Sequence, residues 1–164
     1  MRVLIDANVL VSAFFTHNQG KTSLVQWLVF VALMQQRRFE LVASDPLLHE
    51  IRDVLIRRGA PEQAADFYVD SLAGVATFIP IRGIPMGCPD PDDDHVLEVA
   101  MNANVDILVS RDGDLFHPRS RWALEKTGIG IRDRPIRIVS VRELVDELNG
   151  APRFSPLVIA TLAA

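Results

Sequence analysis

The stretch that decides the fold is VLIDANVLVS, residues 3–12. Its first three residues are bulky and apolar, which is the composition of a short buried strand. Asp6 ends this run, and residues 8–15 then follow the pattern of a helix. A buried strand that leads closely into a helix predicts the first unit of an α/β fold.

Outward from this stretch, apolar runs alternate with helical patterns along the chain. Further strands are predicted at residues 39–43, 77–81, 105–109 and 136–139. Helices are predicted at residues 22–36, 44–58, 61–76, 92–104 and 140–148, whereas residues 110–135 read as an irregular, arginine-bearing stretch. This order predicts a three-layer α/β/α fold around a central, mainly parallel sheet of about five strands.

Composition favours one domain in a reducing compartment. The 164 residues are 49% hydrophobic, carry a net charge of −4 and include one cysteine, Cys88, which leaves no internal disulfide to form. Asp6 interrupts the apolar start, and the apolar run at residues 24–34 is too short to span a bilayer. We therefore predict a cytoplasmic protein without membrane contact, with a domain at residues 1–150 and a C-terminal tail at residues 151–164.

Acidic residues follow two of the predicted strands. Asp6 follows the first strand directly, and Asp112 comes three residues after Val109 ends another. The carboxyl ends of parallel strands meet at one edge of a sheet, where α/β proteins place their sites. Both carboxylates are expected at that edge, and Asn8 is near enough to Asp6 to orient a carboxylate or a metal-bound water.

Two more acids come from predicted helices. In the helix at residues 92–104, an apolar stripe is formed by Val96, Leu97, Ala100 and Ala103. At about 100° per residue, Asp93 projects roughly 30° from the centre of this stripe, and its two acidic neighbours lie farther off. In the helix at residues 44–58, Glu50 lies at the edge of the stripe, whereas Asp53 points away. An inward carboxylate without a partner is costly, so Asp93 is expected to meet a cation or strong donors.

Four acids at one rim would repel one another unless cations lay between them. Carboxylate oxygens select hard cations, so the sequence indicates Mg²⁺ or Mn²⁺. Such a cation lowers the pKa of a bound water and stabilises charge on an attacked phosphate. Phosphodiester hydrolysis is the chemistry that this set of residues predicts.

With these segments in view, the chain resembles the PIN domain family, specifically its bacterial and archaeal toxin-like branch related to VapC ribonucleases. Besides residues 3–12, the similar segments are LHEIRDVL (48–55), DPDDDHVLEVA (90–100), DILVSRDGDL (106–115) and IVSVRELV (138–145). They occur in order and with suitable spacing. The resemblance implies that the catalytic and metal-binding positions are Asp6, Glu50, Asp93 and Asp112. It also implies supporting polar roles for Asn8, Ser12 and Asp114.

The same resemblance implies Mg²⁺ or Mn²⁺ as cofactor, RNA as substrate and frequent homodimers. In toxin members of the branch, a small antitoxin protein blocks the site. The chain departs from the family pattern at two places. Ser110 and Arg111 stand where a Thr-Gly pair is common, and the segment at residues 116–135 is longer than expected.

Basic residues are concentrated near Asp112. Residues 111–137 contain seven Lys or Arg and four Asp or Glu, although the whole chain is net negative. Arginine pairs bidentately with phosphate, and Trp122 has the chemistry to stack on a base. We predict an RNA-contacting flap that includes Arg111, Arg119 and Arg121. The alternative is a solvated loop with Trp122 packed underneath.

Plainer interpretations stand beside these predictions. Asp6, Asn8 and Asp93 are residue types that cap helices, and Glu50 is placed to pair with a nearby arginine. The four histidines lack metal-ligand spacing, which predicts that most are surface residues. For the whole chain, the alternatives to a ribonuclease are a non-enzymatic PIN-fold binding module and a phosphatase of the haloacid-dehalogenase type. The phosphatase needs a second aspartate where Asn8 stands.

Overall fold

A parallel sheet of five strands forms the centre of the protein. The computed structural model describes residues 1–18, 40–127 and 135–150. The strands are β1 (Arg2–Ile5), β2 (Glu40–Ala43), β3 (Thr77–Phe78), β4 (Ile107–Val109) and β5 (Arg137–Val139). Their order is β3-β2-β1-β4-β5, and every neighbouring pair is parallel. Helices flank this sheet, so the predicted three-layer α/β/α fold is confirmed.

Six α-helices belong to the described residues. They are α1 (Ala7–Asn18), α2 (Asp45–Arg57), α3 (Glu62–Ala73), α4 (Asp94–Asn102), α5 (Pro118–Thr127) and α6 (Val141–Gly150). A 3₁₀ turn, Pro91–Asp93, leads into α4. The predicted helix at residues 22–36 and the predicted tail at residues 151–164 lie outside the described residues.

β1 is the middle strand of the sheet, and its central residues are apolar and buried. Val3, Leu4 and Ile5 are all 0% exposed. Leu4 lies level with Val42 of β2 on one side and with Leu108 of β4 on the other. A strand that is apolar on both faces is stable only where helices cover both faces of the sheet. The opening stretch therefore determines the centre of the fold.

The ends of α2 follow from individual residues. The hydroxyl of Ser44 accepts a hydrogen bond from the Leu47 amide at 3.3 Å, and Pro46 occupies the first turn, where its missing N–H costs nothing. Gly59 follows the helix with φ of +92°, a conformation that L side chains rarely adopt. The predicted cap, proline and stop signal are all confirmed.

The start of α4 is tighter than a simple helix. Asp90 accepts a hydrogen bond from the Asp92 amide at 3.0 Å, and the chain makes a 3₁₀ turn before α4 begins. The four residues of the predicted apolar stripe are each 1% exposed or less. The stripe is therefore confirmed, although regular α-helix starts two residues later than predicted.

Some predicted boundaries were wrong, and one helix was missed. β3 ends at Phe78 rather than at residue 81, because Pro80 has no N–H to donate to a ladder. β4 starts at Ile107, since the amide of Val105 is already bonded to the Ala100 carbonyl at 3.1 Å. The stretch after β4 is not irregular throughout, because it contains α5.

The end of the described chain agrees with the prediction. Glu143 accepts a hydrogen bond from the Ser140 amide at 2.6 Å, and the Ser140 hydroxyl accepts one from the Glu143 amide at 3.2 Å. This reciprocal pair is the expected capping box, and it opens α6. Within residues 1–18, 40–127 and 135–150, no helix is long and apolar enough to cross a membrane.

The strand order determines where a site belongs. From β1 the chain builds β2 and β3 on one side and then crosses to the other side for β4 and β5. The direction of winding therefore reverses between β1 and β4. In parallel α/β sheets, the crevice outside the carboxyl ends of such strands is the usual binding site.

Candidate active site

Asp6 and Ser110 are neighbours at this crevice. Ile5 and Val109 are paired in the sheet, so the residue after each strand emerges side by side with the other. Asp6 is 5% exposed and Ser110 is 0% exposed. The Ser110 hydroxyl donates to Oδ2 of Asp6 at 2.6 Å and accepts from the Asp112 amide at 2.9 Å. One serine thus connects both of the acids that sequence reasoning assigned to this edge.

The carboxyl group of Asp6 is held where ionisation is difficult. Burial raises its pKa from 3.8 to about 6, although the hydrogen bond from Ser110 opposes the rise. The negative charges of Glu50 and Asp112 raise this pKa further. The acids whose charges raise the pKa of Asp6 are therefore groups with which it would share a cation.

Asp93 is the second acid with a strongly shifted pKa. It lies at the junction of the 3₁₀ turn and α4 and is partly buried. Burial raises its pKa to about 7, and the charges that raise it further belong to Asp112, Asp6, Asp90 and Glu50. Asp6, Glu50, Asp90, Asp93 and Asp112 thus form one electrostatically coupled group, which we call the acidic cluster.

Among the described residues, the acids close enough together to hold one ion include Asp114. One carboxylate oxygen from each of Asp90, Asp93 and Asp114 lies within 4.8 Å of the others. Asp114 is tethered to the cluster because its amide donates to Oδ1 of Asp112 at 2.8 Å. Asp90 was missed by sequence reasoning. Its position three residues before Asp93, one turn away, was the signal that would have found it.

Asp92 and Asp94, which flank Asp93 in the acidic run at residues 90–94, have other surroundings. Asp92 is exposed, as its projection away from the stripe predicted. Asp94 is half-buried and accepts a hydrogen bond from the Cys88 amide at 2.8 Å. Asp53 is exposed, as expected. By burial, the structure separates Asp93 from Asp92 but not from Asp94, which was expected to point farthest from the stripe.

Glu50 approaches the cluster from α2, and its partner is a histidine. Nε2 of His95 lies 3.1 Å from Oε2 of Glu50. Among the described residues, the partner of Glu50 is thus His95 and not the arginine of the alternative interpretation. The His95 side chain is 20% exposed, so it departs from the expected surface histidines, whereas His49 and His117 are exposed as predicted. Nothing in the spacing of the histidines indicated this contact, which joins residues 45 positions apart.

Comparison with known proteins agrees with this geometry. A family model described as the PIN domain matches residues 2–114, about two thirds of the chain. The chain belongs to the PIN domain family. PIN domains are generally nucleases. No curated protein and no solved structure gives a significant match.

The matched region of this PIN domain ends at Asp114, so it includes every member of the acidic cluster. Residues 138–145, where a closing strand and helix were expected, lie beyond the match but do form β5 and the start of α6. The fold therefore continues past the part that the family model covers.

The donor set fits a hard divalent cation. The cluster presents carboxylate oxygens, with no cysteine sulfur among them, and Mg²⁺ and Mn²⁺ prefer such ligands. Asn8 provides a second observation that points to a bound cation. Its Oδ1 is buried and has no hydrogen-bond partner among the described residues. A buried oxygen of this kind is normally satisfied by water, an ion or a donor.

A buried glutamate, Glu98, stabilises the loop at residues 82–84, which precedes the acidic residues 90–94 in the chain. Its carboxylate is 0% exposed and accepts hydrogen bonds from the amides of residues 82–84 at 2.6, 2.9 and 3.0 Å. Although burial raises the pKa of Glu98, these three amides bring it below the usual value. Glu98 was not singled out in the sequence, where it reads as one more helical glutamate.

Arg111, beside the candidate site, links two elements of the PIN domain. Its Nη1 donates to the Ser12 hydroxyl at 3.1 Å, which joins the β4 end to α1. The guanidinium group remains exposed. This contact accounts for Ser12 without requiring it to touch a cation.

The predicted flap is helical where it is described. Arg119, Arg121 and Trp122 are exposed on α5, and Trp122 is 57% exposed, so it is not packed underneath the segment. Arg121 donates from Nε to the Phe116 carbonyl at 3.2 Å. On the inner side, the Ser120 hydroxyl donates to the Asp114 carbonyl at 2.7 Å. Thus α5 is attached at Asp114 to the loop that follows β4.

Proposed function

We propose that this PIN domain is an endoribonuclease that uses Mg²⁺ or Mn²⁺ to hydrolyse RNA phosphodiester bonds. The observation that carries the proposal is the acidic cluster, in which burial and mutual repulsion raise the pKa values of Asp6 and Asp93 to about 6 and about 7. Carboxylates that repel one another at close range are stabilised by a cation. Residues with strongly shifted pKa values at a crevice are also characteristic of functional sites.

Within this proposal, Asp6, Glu50, Asp93 and Asp112 hold the cation. A divalent cation supplies Lewis-acid chemistry at the phosphate, neutralising the charge that develops there. Asp6 contributes a carboxylate kept in one orientation by Ser110, and the same hydroxyl orders the Asp112 backbone. Asp114 supports Asp112 through its amide, and Asn8 offers an oxygen that has no other described partner.

The substrate contact is assigned to the exposed arginines beside the cluster. Arg111 is anchored at Ser12, while Arg119 and Arg121 project from α5. A guanidinium group binds phosphate oxygens through a fork of N–H donors, and it remains charged at every physiological pH. These residues would bind the RNA backbone and hold a phosphodiester over the acidic cluster.

The wider biological role is proposed from the resemblance of the sequence motifs. We assign the chain as the toxin of a toxin–antitoxin pair, with residues 1–150 as the nuclease domain, a homodimeric assembly and an antitoxin protein that blocks the site. Growth arrest on expression of the wild-type chain, but not of Asp6→Asn, would support the toxin role. Sedimentation equilibrium would measure the assembly state separately.

The decisive experiment is cleavage of a labelled panel of structured and single-stranded RNAs with Mg²⁺, Mn²⁺ or EDTA. The variants are Asp6→Asn, Asp93→Asn and the matched control Asp92→Asn, which removes an exposed charge from the same acidic run. We expect metal-dependent cleavage by the wild type and by Asp92→Asn, and loss of at least about a hundredfold in the other two.

Other outcomes would contradict the proposal. Cleavage that survives in EDTA, or that Asp6→Asn retains in full, would exclude this site as the catalytic centre. Binding of Mn²⁺ and RNA without any cleavage would favour the non-enzymatic binding module. Hydrolysis of small phosphomonoesters with a trapped aspartyl phosphate would favour the phosphatase, which the family assignment leaves without support.

A further inference from the structure

Glu50 belongs to the acidic cluster, but few contacts fix the position of its side chain. Its side chain is 40% exposed, and His95 is its hydrogen-bond partner within the described residues. Its charge nevertheless raises the pKa values of Asp6 and Asp93, so it lies near both of them. A glutamate with three rotatable bonds loses substantial entropy when it is fixed as a ligand. Some other group must therefore restrict it if it is to bind a cation well.

His95 has the attachment that such a group needs. It lies in the first turn of α4, between Asp94, which binds the Cys88 amide at 2.8 Å, and Val96, which is 1% exposed. The backbone beneath the imidazole is therefore anchored at both neighbouring residues. Nε2 reaches Oε2 of Glu50 at 3.1 Å. An ionised carboxylate only accepts hydrogen bonds, so the proton of this contact belongs to Nε2.

The other ring nitrogen makes a plain packing role less satisfactory. Nδ1 of His95 is buried and has no hydrogen-bond partner within the described ranges. Unsatisfied buried polar atoms are rare in folded proteins and are often explained by a functional requirement. An apolar residue at this position would avoid the unsatisfied atom but would leave Glu50 without its donor.

We propose that His95 is a positioning residue for Glu50, holding one carboxylate oxygen so that the other is directed to the cation. The inference rests on the proposed metal-dependent function and names a residue on which that site depends. Partners of this kind restrict the orientation of a ligand and increase its basicity. His95 acts through Glu50 and is not itself assigned as a ligand.

The test is Mn²⁺ titration calorimetry, at one pH and ionic strength, of the intact chain and a set of variants. His95→Leu removes the donor, and His95→Gln places an amide N–H near the position of Nε2. His95→Asn keeps the polarity but is too short to reach Glu50. The matched control is His49→Leu, which makes the same substitution at an exposed histidine on α2. Far-UV circular dichroism and thermal unfolding confirm that each variant is folded.

We expect His95→Leu and His95→Asn to bind Mn²⁺ at least about tenfold more weakly than the wild type, with His95→Gln and His49→Leu within about threefold. In a double-mutant cycle, His95→Leu should weaken binding no further once Glu50→Ala is present. A purely structural role would lower the unfolding temperature of His95→Leu and leave its Mn²⁺ affinity unchanged. That result, or full additivity with Glu50→Ala, would overturn the inference.

A measurement without metal tests the contact itself. Nitrogen chemical shifts of the His95 imidazole should report a proton on Nε2 in the wild type and a changed tautomer population in Glu50→Ala. A bare Nε2 would overturn the positioning role even if Mn²⁺ binds. If the wild type binds no Mn²⁺, the proposed function and the inference about His95 both fail. If Asp93→Asn loses Mn²⁺ while His95→Leu keeps it, only the inference about His95 fails.

Discussion

Ser110 donates its hydroxyl hydrogen to the Asp6 carboxylate over 2.6 Å, and this contact joins the carboxyl ends of β1 and β4. The serine stands where the sequence motif departs from the common Thr-Gly pair, yet its hydroxyl is fully used. It donates to Asp6 and accepts from the Asp112 amide at 2.9 Å. The departure therefore preserves a hydroxyl at the point where the two acids are oriented.

Replacing Ser110 by alanine should destabilise the protein and perturb the site. Two buried hydrogen-bonding groups lose their partner, so we expect the free energy of unfolding to fall by about 1 to 2 kcal/mol. The hydrogen bond from Ser110 lowers the pKa of Asp6, so its removal should raise that pKa further above 6. Urea denaturation in EDTA measures the first effect. Ser71→Ala, which removes a helix-surface hydroxyl bonded to the Phe67 carbonyl, is the control and should change little. Equal losses in the two variants would contradict the assignment.

Ionisation of Asp93 should reduce the stability of the metal-free protein as pH rises from about 4 to about 7. Its pKa is about 7 in the folded protein against 3.8 ordinarily, so the folded state binds more protons in this window. Asp93→Asn should be less sensitive to pH and more stable than the wild type at pH 7.5 in EDTA. Asp92→Asn should retain the wild-type slope. The pKa of His95 is raised in part by the charge of Asp93, so Asp93→Asn also reduces the His95 contribution, which acts in the same direction. Parallel slopes for Asp93→Asn and the wild type would refute the prediction.

Asp90 should contribute to cation binding although sequence reasoning did not select it. Its carboxylate lies within 4.8 Å of those of Asp93 and Asp114. Removing one negative charge from a group of hard ligands should weaken Mn²⁺ binding, and we expect at least about a tenfold loss in Asp90→Asn. Asp92→Asn, two residues along the chain and exposed, should bind Mn²⁺ as the wild type does. Calorimetric titration at pH 7.5 distinguishes the two, and equal affinities in all three proteins would remove Asp90 from the site.

Arg111 should bind the RNA backbone. Arg111→Ala should weaken RNA binding for all sequences alike and reduce the slope of log affinity against log salt by about 0.7, the value for one phosphate contact on a single strand. The control is Arg57→Ala. Arg57 is exposed at the end of α2, a helix that follows β2, so it lies toward the opposite edge of the sheet. Fluorescence anisotropy with catalytically inactive Asp6→Asn as the background provides the affinities. An unchanged slope in the Arg111 variant would exclude the contact.

Local signals accounted for much of the fold. The buried β1, the Ser44 cap, the stop at Gly59 and the Ser140–Glu143 capping box each depend on residues a few positions apart. Such features can be read from spacing because the interacting groups are brought together by the helix or strand itself. The partial burial of Asp93 was indicated in the same way, by its spacing from the apolar stripe of α4.

The contacts that were missed join distant parts of the chain. Glu50 and His95 are 45 positions apart, and Asp6 and Ser110 are 104 positions apart. The burial of Glu98 against the loop at residues 82–84 depends on how α4 packs, which its own helical pattern does not specify. The helix in the arginine-rich segment was also missed, because few apolar residues there mark a helical face.

The amino-acid sequence by itself determined the five strands and most of the helices, the apolar centre of the sheet and the acids expected at its carboxyl edge, because each depends on composition and local periodicity. Only the tertiary structure decided which side chains meet there. The register of β1 against β4 sets Ser110 beside Asp6, and the packing of the helices brings His95 to Glu50. Those pairings follow from close packing of elements far apart in the chain, and no local pattern encodes them.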